Sequence, residues 1–138
     1  MKSRGIGTES NSRVSEPTFL LDTNTCIYLL EGKSEAAKAR FESCSQGEVV
    51  TSAIVFAEVV IGVKPTESLA EVMQFFAIVP VLAFDREAGT RYAELPFKRQ
   101  SFDRLIAAHA LALDLTLVTA NAKDFRDIPA LRFEDWTQ

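Results

Sequence analysis

Three apolar residues near the start of the chain run directly into a carboxylate: Phe19, Leu20 and Leu21 are followed by Asp22. A short apolar run that ends in polar residues is typical of a buried strand, and it predicts that Asp22 lies at the strand's C-terminal end. In open α/β sheets, ligands bind in the crevice beyond that end of the strands. The fold of the chain must therefore bring other groups to this edge that accommodate the acid.

The rest of the chain alternates short apolar strands with helices. After a first strand at 18–22, strands are predicted at residues 48–51, 80–84, 116–119 and 131–133. Helices are predicted at residues 23–30, 35–44, 53–61, 67–77, 86–95 and 102–113. Strands that alternate with helices at this spacing favour a parallel sheet covered by helices.

Residues 1–17 are rich in Ser, Arg, Glu, Gly and Asn and contain no apolar block that would act as a secretory signal. We interpret them as a disordered N-terminal extension and residues 18–138 as one domain. The longest apolar run, residues 53–63, is too short to span a membrane and contains Glu58. No membrane segment and a cytoplasmic location are therefore expected.

The charge balance limits the partners of the protein. The chain carries 19 acids and 15 Lys and Arg residues, a formal net charge of −4. This balance argues against a protein that coats nucleic acid by bulk charge, because phosphate binding depends on clustered basic side chains. A local basic rim around a site remains compatible with it.

Four acids stand out by their surroundings. Glu58 is the one charge in a helix that is apolar all round, and such a helix is expected to be buried on all sides. A lone buried carboxylate there costs several kcal/mol unless it has a raised pKa, an Arg partner or a bound metal. The others have ordinary alternatives: Asp22 as an N-cap, Asp103 as an acid favoured by a helix dipole, and Asp124 as a solvated loop acid. Acids gathered at one sheet edge repel one another unless cations lie between them, and oxygen ligands suit Mg²⁺ or Mn²⁺.

The one histidine and the one tryptophan are interpreted as packing residues. His109 lies six residues after Asp103, about 240° round a helix, so it need not share the face of that acid. Trp136 is expected to anchor the C-terminal tail.

Several stretches together resemble the PIN-domain ribonucleases and, more closely, the VapC-type toxins of bacterial toxin–antitoxin pairs. The likeness covers residues 18–136 in order. It is carried by Leu-Leu-Asp-Thr-Asn at 20–24, Ser52 with Glu58 six residues later, Phe-Asp-Arg-Leu-Ile-Ala-Ala-His-Ala-Leu-Ala-Leu at 102–113, Leu-Val-Thr-Ala-Asn-Ala-Lys-Asp-Phe at 117–125, and Leu-Arg-Phe-Glu-Asp-Trp at 131–136.

The resemblance implies a three-layer α/β/α sandwich with a short, mainly parallel central sheet and an acidic pocket that binds Mg²⁺ or Mn²⁺. The catalytic and metal-binding acids it implies are Asp22, Glu58, Asp103 and Asp124. Many relatives carry an Asp where this chain has Asn121. The pocket-supporting residues are Thr23, Asn24, Ser52, Thr119 and Asn121, and the expected phosphate contacts are Arg99, Arg104 and Lys123.

The implied function is metal-dependent hydrolysis of RNA phosphodiester bonds by a growth-inhibiting toxin. A cognate VapB-like antitoxin that inserts a segment into the acidic pocket, and a homodimer, are expected. Two alternatives stay open. A haloacid-dehalogenase-like phosphatase also places an Asp after its first strand, but usually has a second Asp two residues later, where this chain has Asn24. A catalytically silent binding module would use the acids only to hold a partner.

Overall fold

A computed structural model describes residues 15–63, 68–96 and 101–138. These residues form five strands: β1 (Phe19–Leu21), β2 (Val49–Ser52), β3 (Val81–Leu82), β4 (Thr116–Val118) and β5 (Phe133–Glu134). They also form six α-helices: α1 (Thr23–Glu31), α2 (Glu35–Glu42), α3 (Ala53–Ile61), α4 (Leu69–Ile78), α5 (Arg86–Ala93) and α6 (Phe102–Ala112). A short 3₁₀ helix, Ala122–Phe125, follows β4.

The five strands form one parallel sheet in the order β3-β2-β1-β4-β5. Leu20 in the central strand lies opposite Val50 of β2 and Leu117 of β4. Right-handed crossovers place α1–α4 on one face and α5 and α6 on the other. The three-layer α/β/α sandwich predicted from the sequence is confirmed.

The central strands form the core. Leu20, Leu21, Leu117 and Val118 are completely buried, and each buried aliphatic side chain of this size contributes about 1.5–3 kcal/mol relative to an exposed one. Trp136 is also buried and packs edge-on against Phe19, with ring centroids 5.2 Å apart. The predicted anchoring of the C-terminal tail by Trp136 is confirmed.

Capping residues explain where the helices begin and end. The side chain of Asp22 caps α1, and Gly32 ends it with a φ of 67°, a left-handed conformation that glycine adopts without strain. Ser52 caps α3, whose predicted bounds are confirmed. Ser101 lies at the N-cap position of α6, where its residue type predicts a capping bond, but its side chain makes none.

The first described residues already contact the domain. The boundary at residue 17 stays a prediction because residues 1–14 lie outside the described residues, while the Ser15 N–H already donates to the Gln46 carbonyl at 2.8 Å. The expectation that α3 is buried all round is wrong. Val55 and Val59 face the core, but Ile61 is 87% exposed because no described element covers that side of the helix.

None of the helices in the described parts of the chain is long and apolar enough to cross a membrane.

Candidate active site

The strand order reverses between β1 and β4, and this is the point at which an open α/β sheet forms a crevice. Asp22 follows β1 and Thr119 follows β4, so both lie at the mouth of the crevice. The Asp22 N–H donates to the Val118 carbonyl at 2.9 Å, which fixes the end of β1 against β4. The topology therefore places a carboxylate where ligands bind in this class of sheet.

The Asp22 side chain is buried, with only 4% of its surface exposed. Its Oδ1 accepts the Thr25 N–H at 2.9 Å, so the capping role considered for this residue is confirmed. Burial raises the pKa of Asp22 above its ordinary value, and the negative charge of Asp103 adds to the rise. Hydrogen bonds from Thr119 and Thr25 oppose it. Capping alone does not relieve the cost of placing this charge, since the net shift is upward.

Thr119 connects the loop after β4 to the acid. Its hydroxyl oxygen accepts the Asn121 N–H at 3.0 Å, and its side chain hydrogen-bonds Asp22. The Thr119 N–H donates to the Glu134 carbonyl of β5 at 2.9 Å. Thr119 is completely buried, so it holds Asp22 in place and does not face the solvent.

Glu58 extends from α3 towards the start of α1. Its Oε1 accepts the Thr23 hydroxyl hydrogen at 2.5 Å, and the contact is partly buried. Thr23 follows Asp22 directly in the chain, so this bond places the Glu58 carboxylate beside the acid that begins α1. The polar partner of Glu58 is thus a hydroxyl group, which the sequence-based alternatives for this acid did not include.

The two remaining acids lie on α6 and in the 3₁₀ helix after β4. Asp103 lies in the first turn of α6 and is half-buried, and its effect on the pKa of Asp22 shows that the two carboxylates are in electrostatic contact. Asp124 lies in the 3₁₀ helix after β4, with its N–H bonded to the Asn121 carbonyl at 2.9 Å. The charge of Asp103 thus acts on Asp22, while Asp124 lies five residues after Thr119 in the loop beyond β4.

The acids at the crevice differ from a complete metal site. Within the described residues, no three or more His, Cys, Asp and Glu side chains are grouped so that they could hold an ion. The buried Asp22 and the half-buried Asp103 nevertheless suit a hard cation in their chemistry, because the charge of Asp103 raises the pKa of Asp22 and a cation near both would offset that repulsion. The assignment of Glu58 and Asp124 as further ligands stays a prediction.

The structure separates the other predicted site residues. Ser52 and Thr119 are buried, Thr23 is half-buried and bonded to Glu58, and Asn24 and Lys123 are exposed. Arg99 lies outside the described residues. The prediction that Arg104 contacts a phosphate is not supported. Only 4% of its side chain is exposed and its Nη2 lies 3.0 Å from Asp127 Oδ1, so it does not present its charge to a phosphate in solution.

Sequence reasoning missed the role of His109. This residue is 1% exposed, and its Nδ1 lies 2.8 Å from the Ser52 hydroxyl oxygen. The prediction of a packed histidine is confirmed, but the hydrogen bond is not visible in the sequence because 57 residues separate the two partners. Two sequence features could have pointed to this bond. Ser52 precedes an apolar helix as its cap, and His109 is the one histidine and lies on an otherwise apolar face of its helix.

A groove between α1, α3 and α4 opens beside Glu58. Its volume is about 660 Å³. Apolar side chains such as Ile27, Leu30 and Val63 alternate along it with charged ones, including Glu31 and Lys33, which form an ion pair at 2.9 Å. The groove is therefore lined by apolar and charged side chains together, and one of the charged ones is the candidate catalytic acid Glu58.

The fold and this crevice define the class of the protein. The sequence matches the PIN domain family over residues 19–131, and the chain belongs to that family. The match gives no support to the phosphatase alternative.

The chain is also similar to individual proteins over most of its length. The chain is 36% identical over 129 residues to the tRNA(fMet)-specific endonuclease VapC of Salmonella typhimurium, covering 86% of this chain and 97% of that protein. The protein of the same name from Shigella flexneri is 32% identical over 130 residues, with 86% and 98% covered.

Solved structures agree with these relatives. DNA-bound VapBC from Salmonella typhimurium superposes with a TM-score of 0.73 at 33% identity, covering 87% of this chain and 98% of that chain. VapBC2 from Rickettsia felis, bound to a promoter DNA fragment, gives a TM-score of 0.74 at 27% identity, with 86% and 98% covered.

Proposed function

We propose that the protein is an endoribonuclease toxin that hydrolyses RNA phosphodiester bonds with Mg²⁺ or Mn²⁺ and is neutralised by an antitoxin. The observation that carries this proposal is the buried Asp22 carboxylate at the switch point of a PIN-domain sheet, in electrostatic contact with Asp103. Relatives of nearly full length that carry the names endonuclease or ribonuclease support it.

The residues of the chain have distinct roles in this mechanism. Asp22 and Asp103 would hold a cation between them, with Glu58 and Asp124 as further ligands. When bound, the cation supplies the Lewis-acid activation of water that hydrolysis requires. Thr119 and the Thr25 N–H fix the Asp22 carboxylate, and Thr23 fixes Glu58, so the acids are oriented before substrate arrives.

Two exposed side chains beside the site suit an RNA strand. Phe102 directly precedes Asp103 and is 56% exposed, so its ring is available to stack on a base. Lys123 is exposed in the 3₁₀ helix after Thr119 and offers a charge to a phosphate. Both lie on the elements that carry the acids.

The proposal is tested by Asp22→Asn, since Asn preserves the cap and shape but removes the charge. RNA cleavage in Mg²⁺ or Mn²⁺ is expected to fall by more than about 100-fold, beyond the roughly 10-fold to 100-fold cost of losing a residue that only orients a metal ligand. Circular dichroism should show the fold intact. Equal cleavage by the parent and the variant would contradict the assignment, and chelation by EDTA should abolish cleavage by the parent.

A silent binding module is the second candidate, because no metal-holding group of three or more acids is formed within the described residues. Calorimetric titration with Mn²⁺ separates the two candidates. Binding that disappears in Asp22→Asn supports the nuclease. No binding by the parent would favour the silent module.

For the antitoxin, we propose that one of its segments lies in the groove between α1, α3 and α4 and reaches Glu58 with a basic residue. The apolar side chains and the acid that line the groove suit an apolar peptide that carries a cation. Val63→Asp is expected to weaken binding of the cognate antitoxin by at least about tenfold, the effect of losing roughly 1.4 kcal/mol. Ile78→Asp is a matched control, because Ile78 is exposed and does not line the groove. Equal affinities of the two variants would contradict the placement.

The expected homodimer stays a prediction. Exposed apolar side chains on α3 and α4, including Ile61, Leu69 and Met73, offer a surface for association. Light scattering on the purified protein measures its mass in solution. A monomer at all concentrations would contradict the dimer.

A further inference from the structure

His109 joins three elements of the fold. In α6 its Nδ1 lies 2.8 Å from Ser52 Oγ at the start of α3, and the ring also hydrogen-bonds the backbone of Ala83, which follows β3. Phe84 packs edge-on against the ring, with centroids 5.4 Å apart. A single buried side chain therefore connects α6, α3 and the end of β3.

The directions of these hydrogen bonds follow from the available donors. Ser52 is completely buried, so its hydroxyl hydrogen requires an acceptor, and His109 Nδ1 lies within reach of it; we therefore assign the hydrogen of the neutral ring to Nε2. In the neutral ring Nδ1 is then an acceptor, and the Ser52 hydroxyl donates to it. The same oxygen accepts the Ile54 N–H at 3.1 Å. The hydroxyl hydrogen of Ser52 is thus committed to His109.

This link lies between the helices that carry two candidate catalytic acids. Ser52 caps α3, and Glu58 follows it by six residues on the same helix. Asp103 precedes His109 by six residues on α6. The hydrogen bond between Ser52 and His109 therefore fixes the start of one acid-bearing helix against the middle of the other.

We propose that His109 is a positioning residue for RNA hydrolysis: its neutral ring holds the first turn of α3 and so sets the place of Glu58 relative to Asp103. This inference rests on the proposed function. His109 itself is buried and touches neither solvent nor substrate, so its effect on the reaction passes through Ser52 and α3.

Two amide substitutions distinguish the two ring nitrogens. Asn places its amide oxygen near the position of Nδ1, and Gln places its amide near Nε2. His109→Asn can therefore still accept the Ser52 hydroxyl hydrogen, whereas His109→Gln and Ser52→Ala cannot form that bond. Phe41→Leu is a control for lost stability, since Phe41 lies in α2, packs against Phe75 of α4, and is on a helix that carries none of the candidate catalytic acids.

Single-turnover cleavage of a short RNA separates positioning from packing. His109→Gln and Ser52→Ala are expected to lower kcat by about 10-fold to 100-fold with KM nearly unchanged, the effect of misplacing a reactive group by about 1 Å. His109→Asn should retain kcat within about threefold, because its bond to Ser52 is kept. The double variant of Ser52→Ala and His109→Gln should be no slower than either single variant, since both remove one interaction.

Amide hydrogen exchange gives a readout that needs no activity. The Ile54 N–H, which Ser52 caps, should exchange faster in His109→Gln but not in Phe41→Leu. Unchanged Ile54 exchange in His109→Gln, or a kcat no lower than that of Phe41→Leu at matched thermal stability, would overturn the positioning role while leaving the proposed function intact. Absence of RNA cleavage by the parent protein would overturn both.

Discussion

Asp22 and His109 are both buried polar residues, but their surroundings differ in kind. The His109 ring has a hydrogen-bonding partner on Ser52 and another on Ala83, and burial, the largest effect, lowers its pKa and so favours the neutral form. Asp22 has hydrogen-bond donors too, yet burial and the charge of Asp103 still raise its pKa. Burial of His109 therefore stabilises the fold, whereas burial of Asp22 costs stability. A cost of this kind is typical of a functional site.

The largest change in stability is expected for His109→Leu. The substitution keeps an apolar side chain in the space but leaves the buried Ser52 hydroxyl without its partner on the ring. Burial of polar groups without partners costs about 1–3 kcal/mol, so the free energy of unfolding should fall by that amount. Urea denaturation measures this free energy, and a variant as stable as the parent would show that the hydrogen bond of His109 does not stabilise the fold.

Asp22→Asn should change stability in the opposite direction. Asn keeps the cap on α1 and removes the buried charge, so the free energy of unfolding should rise by about 1 kcal/mol, and the melting temperature by a few degrees. The measurement belongs in EDTA, because a bound cation stabilises the parent and reverses the sign. A loss of stability in EDTA would show that the hydrogen bonds to the Asp22 carboxylate outweigh the cost of burying its charge.

The pH dependence of the two residues should run in opposite directions. The raised pKa of Asp22 means that its stabilising contribution is present below about pH 3.9, the ordinary value, and is lost as pH rises through the folded-state pKa. The advantage of Asp22→Asn over the parent should therefore grow as the pH rises above about 4. Burial lowers the pKa of His109, against the opposing effects of Asp85 and Ala83, so its contribution is present above about pH 6.5 and is lost as pH falls.

The deficit of His109→Leu relative to the parent should accordingly shrink between about pH 7 and pH 5. Equilibrium unfolding at several pH values measures both differences. Two parallel profiles would show that neither residue titrates differently in the folded protein.

The smallest effect is expected for Arg104→Met. Arg104 is buried next to Asp103 in the chain, its Nη2 pairs with Asp127, and its Nε and Nη1 have no hydrogen-bond partner among the described residues. Asp127 is 55% exposed, so it remains hydrated when the arginine is removed. Replacing a buried ion pair by an apolar side chain is often neutral, and the change should stay within about 1 kcal/mol. A larger loss on thermal unfolding would show that the pair stabilises the start of α6.

The sequence predicts what depends on local pattern. The apolar run into Asp22 specifies both the central strand and the edge at which its acid lies, and the serine before α3 specifies the start of that helix. Contacts between distant residues are not encoded in this way. The bond between Ser52 and His109 arises only when the sheet brings β2 and α6 together.

Burial is similarly hard to predict for surface helices. The apolar sequence of α3 predicted a helix covered on all sides, but Ile61 is exposed because exposure depends on which neighbouring element covers it. Arg104 was predicted to contact a phosphate, but its position on the helix directs it inwards to Asp127. The weak edge strand was predicted at 131–133 and lies at Phe133–Glu134, since its bounds are set by pairing with β4.

The strands at the two edges of the sheet, β3 and β5, are each two residues long. Such short edges expose few unpaired backbone groups, so they give another chain little to pair with and protect the sheet from edge-to-edge aggregation. Copies of this protein and its protein partners are therefore expected to meet through side chains on helices and not through an extended sheet. Because helix surfaces can change residue by residue without disturbing backbone pairing, partner choice can diverge among related proteins while the sheet stays the same.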